Sequence, residues 1–149
     1  MFLVDTDVIS DTAPTKAAAR KHALAWLSEH RNDLFLSTIT VAELRRGVAF
    51  LYGRGAPKKA AELEAWEQGL LEGFSDRILI LDQDAARRAG ELFGAAEARG
   101  HRPSLADACI AAIADLRGFT VVTFNARHFK ALRVRYQLPG TSDPDSFDA

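Results

Sequence analysis

Apolar residues in this chain follow two rhythms. Short unbroken runs rich in β-branched or aromatic side chains occupy residues 2–4, 34–36, 78–81 and 119–122. Continuity without alternation is the pattern of strands covered on both faces, as in a parallel sheet. Arg133-Val134-Arg135-Tyr136 alternates instead and predicts a short edge strand. Between the runs, apolar positions recur at spacings of three and four, as on one face of a helix. This predicts helices over 17–27 (through Leu24 and Leu27), 41–51 (Val41, Leu44, Val48, Leu51) and 60–74 (Leu63, Trp66, Leu70, Leu71, Phe74). An Ala-rich stretch over 85–99 stops at Gly100, a helix C-terminal signal, and a further helix over 104–116 opens on Ser104-Leu105-Ala106-Asp107, the spacing of a capping box.

Strands alternating with helices predict a single α/β domain, with a central, mostly parallel sheet of four to five strands flanked by helices. Two successive helices between the second and third strands are an excursion from that rhythm. The segment joining them, residues 52–59, is Gly-rich and basic, with Lys58 and Lys59 at its end. The domain is expected to span 1–138, with 139–149 a loosely held tail.

Composition narrows the picture modestly. The chain has 149 residues, 48% hydrophobic and 26% charged, enough to bury one core. Nineteen basic residues nearly balance twenty acidic ones for a net charge of −1, so bulk electrostatics cannot hold a nucleic acid. Any polyanion-binding surface must be local. Cys109 is the single cysteine, which excludes an intrachain disulfide and suits a reducing cytoplasm. No apolar run approaches a membrane span, and the start, Met1-Phe2-Leu3-Val4-Asp5, lacks the basic segment of a signal peptide.

The candidate chemistry lies where acids meet the ends of apolar runs. Asp5 follows the first strand, Glu43 sits in the first turn of the helix after the second, Asp107 opens a late helix, and Asn125 follows the last long strand. In an open α/β sheet, strand C-ends and helix N-termini share one edge, where ligands bind. Three carboxylates gathered there repel, each pair costing about 4 kcal/mol at 4 Å and an effective dielectric near 20. Helix N-termini offset about 0.3–1 kcal/mol per carboxylate. The remainder calls for a cation or a proton, and an all-oxygen donor set suits Mg²⁺ or Mn²⁺ rather than zinc. Such ions orient water and clamp phosphate oxygens in phosphodiester hydrolysis. Taken singly, each acid could instead cap a turn or complement a helix dipole; it is their joint placement that points to a site.

The motifs around these residues resemble a known family. Leu3-Val4-Asp5-Thr6-Asp7-Val8-Ile9-Ser10 looks like the opening of PIN-domain nucleases. The segments 37–47 around Glu43, 104–112 around Asp107, and Thr123-Phe124-Asn125-Ala126-Arg127-His128-Phe129 resemble the second, third and fourth motifs, in order. Within that family the chain is most similar to the VapC and FitB type of bacterial toxin. The resemblance implies a Mg²⁺- or Mn²⁺-dependent endoribonuclease leaving a 5′-phosphate, with Asp5, Glu43 and Asp107 as catalytic acids and metal ligands. It also implies a homodimer inhibited by a small antitoxin whose C-terminal segment covers the groove, with DNA contacted only through the antitoxin and no membrane association. Asn125 stands where the family often has Asp, so three acids and one amide favour one firmly held metal over two.

Several other residues have two readings. Asp7 either helps bind metal or water or caps the next turn, and Thr123 either positions a water or phosphate or is structural. Arg45, Arg46, Lys58 and Lys59 either contact RNA phosphates or form a solvated face. The four histidines show no ligand spacing, and neither His101 nor His128 is assigned a catalytic role. Trp66 and Phe50 read as core or dimer surface, and Cys109 as a buried filler. Two rival functions remain. Asp5-Thr6-Asp7-Val8 also fits the opening of haloacid-dehalogenase-like phosphatases, although no acidic pair follows Thr123, and a degenerate PIN domain could act as a binding module.

Overall fold

The computed structural model describes residues 1–16 and 20–141. Strand β1 (Phe2–Val4) leads into a one-turn helix α1 (Thr6–Ile9) and a 3-10 turn (Ser10–Thr12), then α2 (Lys21–Glu29) and β2 (Leu34–Ser37). The helices α3 (Thr38–Gly53) and α4 (Pro57–Gly73) precede β3 (Ile78–Leu79). Next come α5 (Gln83–Ala98), α6 (Leu105–Arg117), β4 (Thr120–Val122), α7 (Ala126–Leu132) and β5 (Tyr136–Gln137). The five strands form one parallel sheet in the order β3-β2-β1-β4-β5, the α/β architecture expected from the sequence.

Each strand residue alternates between two apolar layers. Leu3 and Val121 face a layer built with Ile110, Ile113, Phe129, Leu132 and the alanines of α5 and α6. Val4 and Val122 face the opposite layer, with Val8, Trp26, Leu27, Leu36 and Leu44. Alanines 85, 89 and 96 on α5 and 108, 111 and 112 on α6 are all buried, so these two helices approach closely with little side-chain entropy lost.

Several expected boundaries shift for identifiable reasons. The helix expected at 17–27 is Lys21–Glu29, its buried face Ala23, Trp26 and Leu27 rather than Leu24; positions 17–19 lie outside the described residues. The strand expected over 78–81 ends at Leu79 because β3 is an edge with one neighbour, and Ile80 is exposed. Phe119 is not in β4, since Gly118, left-handed at φ 67°, still caps α6. The edge strand begins three residues later than expected, at Tyr136, because Arg133, at φ 57°, terminates α7. The basic segment 52–59 is largely helical: Pro57 opens α4, which leaves Lys58 and Lys59 exposed in its first turn. Of the expected tail, residues 142–149 lie outside the described residues.

Candidate active site

The strand order reverses between β1 and β4: β2 and β3 extend one way from β1, β5 the other way from β4. Such a reversal leaves a crevice at the strand C-ends, the usual ligand position in open α/β sheets. Because Val4 pairs with Val122, the next residues, Asp5 and Thr123, stand side by side across it. The Asp5 amide donates to the Val122 carbonyl at 2.9 Å, and the Thr123 hydroxyl donates to Asp5 Oδ2 at 2.7 Å. Asp5 Oδ1 accepts from the Thr6 amide at 2.7 Å, capping α1.

Asp7 projects from α1 toward the same crevice. The Phe124 amide reaches both of its oxygens, at 3.3 and 3.1 Å, which ties α1 to the loop after β4. Glu43, five residues into α3, accepts from the Thr6 hydroxyl. Asp107 closes a true capping box: its amide donates to Ser104 Oγ at 3.0 Å while its Oδ2 accepts from the Ser104 amide at 3.3 Å. Asp5, Asp7, Glu43, Asp107 and Asn125 thereby line one open pocket of about 390 Å³. Every acid and the amide singled out from sequence reach it.

Burial first, and then the Asp7 charge, pushes the Asp5 carboxyl up to about 8; the Thr123 hydroxyl opposes this and Asp107 adds to it. Asp7 is likewise raised, chiefly by burial, with the Phe124 amide opposing. The pocket therefore favours either protons or a cation among its carboxylates. Among the described residues no three acids, histidines or cysteines stand close enough to grip an ion by themselves.

His128 enters the site without having been singled out. It lies in the first turn of α7, a helix too short to show periodicity, and its Nδ1 sits 2.6 Å from Asp107 Oδ2 and 2.7 Å from Asn125 Nδ2. Asp107 is thereby held through Oδ2 by both the Ser104 amide and the His128 ring, and the Asn125 side chain is held against the same ring nitrogen. Thr6 and His128, with Lys16 and Arg20 at the pocket's edge, are residues that sequence reasoning missed.

Other candidates separate in space. Arg45 points to α4, with Nη1 2.6 Å from Glu64 and Nη2 2.6 Å from Glu67, whose side chain is 1% exposed. Arg46 is exposed. Lys16 and Arg20 flank the pocket and pair with the buried Asp11, and Arg20 also lies over the Phe124 ring, 3.7 Å from its centroid. Trp66 is half-buried against the apolar layer around Val4, Phe50 is exposed, and Cys109 is buried. No helix among the described residues is long and apolar enough to cross a membrane.

Known proteins share both the sequence pattern and the fold. The family model for the PIN domain matches residues 2–134. The chain is 38% identical to Toxin FitB of Neisseria gonorrhoeae over 135 residues, covering 90% of this chain and 94% of that protein. It is 35% identical to VapC ribonuclease Y4jK of Sinorhizobium fredii, over 88% of this chain and 91% of that one. Among solved structures, a chain of FitAB bound to an IR36 DNA fragment superposes with a TM-score of 0.82 and 35% identity, over 96% of this chain and 98% of that chain.

Proposed function

The chain belongs to the PIN-domain family, and from that premise we propose that it is a divalent-metal-dependent endoribonuclease, the toxin of a toxin–antitoxin pair. One observation carries the reading: Asp5, Asp7, Glu43, Asp107 and Asn125 line a single open pocket where the sheet order reverses. The relatives named as a ribonuclease and as a toxin support it.

Asp5, Glu43 and Asp107 are the residues that would hold Mg²⁺ or Mn²⁺, which when bound polarises phosphate oxygens and acidifies water. Thr6 aims Glu43 and Thr123 aims Asp5, so neither carboxylate needs to reorganise as charge develops on the phosphate. Asp107 presents Oδ1 while His128 holds Oδ2. Asn125 completes the rim of the pocket as its one uncharged corner, its side chain held by His128. Asp7, held by the Phe124 amide, keeps the wall between α1 and the β4–α7 loop closed.

The phosphatase alternative is not favoured. That family needs a later acidic pair after another strand, and the loop that follows Thr123 at the end of β4 carries none. A degenerate binding module is disfavoured too, because clustered acids without a cation only cost stability. The partners on this reading are RNA, a small antitoxin and a second copy of the chain, with DNA reached through the antitoxin as in the FitAB complex with DNA. The setting is the cytoplasm, where Cys109 stays reduced.

Sequencing the 5′-ends of RNA from cells expressing the chain, beside an Asp107→Ala control, tests the proposal. New 5′-phosphate ends are expected with the wild type alone. The same ends with the variant would remove Asp107, and the mechanism, from consideration.

A further inference from the structure

A chain with a net charge of −1 can hold RNA only through a local basic surface. Several of its cations are already engaged by acids or carbonyls. Arg45 pairs with Glu64 and Glu67, Lys16 and Arg20 with Asp11, and Arg88 with Asp115 and Glu91. Arg99 donates to the Ala131 carbonyl, and Arg135 to that of Gly118. Arg102 and Arg127 are among the exposed cations that have no acid partner among the described residues, and these two share one cleft.

These two arginines meet across a cleft of about 220 Å³ between the α5–α6 turn and α7, which His101 and His128 also line and no acid enters. The cleft is built rather than incidental. Gly100, at φ 80°, turns the chain so that His101 and Arg102 reach the rim, and Pro103 is buried beneath them. The Arg99 bond to Ala131, 2.8 Å, ties the turn to α7. His128 connects the two pockets, since the same imidazole lines this cleft and holds Asp107 in the acidic one.

We propose that this cleft binds a backbone phosphate of the RNA neighbouring the one that is cut, with Arg102 and Arg127 as its gripping residues. The inference rests on the ribonuclease reading and extends it. It gives the substrate strand a direction across the site: from the carboxylate pocket, past Asn125 and His128, into the cationic cleft. A phosphate grip of this kind fixes register without reading sequence.

The test measures binding of a short, fluorescently labelled single-stranded RNA of mixed sequence. Asp107→Asn protein, which binds without cutting, is compared with and without Arg102→Ala/Arg127→Ala over a range of salt. For single strands, the slope of log K against log salt is expected to become shallower by about 0.7 for each phosphate no longer neutralised, with Kd rising about tenfold at low salt. Arg102→Lys/Arg127→Lys should keep the slope while losing part of the affinity. Both substitutions are on the surface, and thermal melts should match the parent. An unchanged slope overturns the inference, as does weaker binding of antitoxin with RNA binding intact. If wild-type protein cuts RNA and the slope is unchanged, only the cleft is refuted; if it neither cuts nor binds RNA, the ribonuclease reading fails as well.

Discussion

Replacing Asp5 by Asn keeps the size of the side chain and its bond from the Thr6 amide while removing a charge from the most crowded point of the pocket. In the metal-free protein the Asp5 carboxyl is raised from 3.8 to about 8. At 1.36 kcal/mol per pH unit, that gap sets a ceiling of about 6 kcal/mol on the cost of ionising it. Relaxation of neighbours and residual order in the unfolded chain reduce the measurable part to about 2–4 kcal/mol. The sign follows from the direction. The folded state binds the Asp5 proton more tightly, so this group's contribution to wild-type stability is fully present below about pH 4 and is lost as pH rises through about 8. The Asn variant lacks this loss and is expected to be increasingly the more stable protein across that window, with the advantage levelling off above it. Urea unfolding in chelator, at a series of pH values, measures the difference directly. Added Mg²⁺ should narrow the gap, because an ion binding only the folded wild type stabilises it by about 2.7 kcal/mol at a hundred times its Kd. RNA cleavage by the variant should be abolished. A stability offset that does not change with pH, or a variant less stable than wild type at the alkaline end, would refute the electrostatic reasoning.

Two further outcomes are expected. His128→Ala frees Asp107 Oδ2 and should raise the Mg²⁺ concentration for half-maximal cleavage by about 10–100-fold with the fold intact; an unchanged metal dependence would make His128 a bystander. Arg45→Ala removes the cation that pairs with the buried Glu67 at 2.6 Å. It should lower the melting temperature, and Glu67→Gln in that background should recover most of the loss, whereas Arg46→Ala leaves melting unchanged.

The acidic pocket could be read from sequence because it depends on register and strand ends, which apolar runs reveal. Asp5 follows a buried run, Thr123 follows another, and parallel pairing of β1 with β4 does the rest. What stayed hidden depends on packing between elements. Arg45 looks like a free cation until α4 packs against α3 and brings Glu64 and Glu67 beside it. His128 shows no ligand spacing because its partners come from α6 and from the head of its own short helix. Ile80 belongs to an apolar run that outlasts its strand, since an edge has only one neighbour to extend the ladder.

The bond from Thr123 to Asp5 joins residues 118 positions apart. A chain synthesised at about 5–20 residues per second therefore spends about 6–24 s with Asp5 made and its hydroxyl partner not. During that interval, and in any chain cut short before β4, there is no strand to pair with the outer side of β1 and no Asn125 or His128. On the proposed mechanism the nascent polypeptide is expected to be inert toward RNA until nearly the whole domain has emerged. Stalled chains ending before Thr120 should accordingly show no cleavage whatever their Asp5 and Glu43 content.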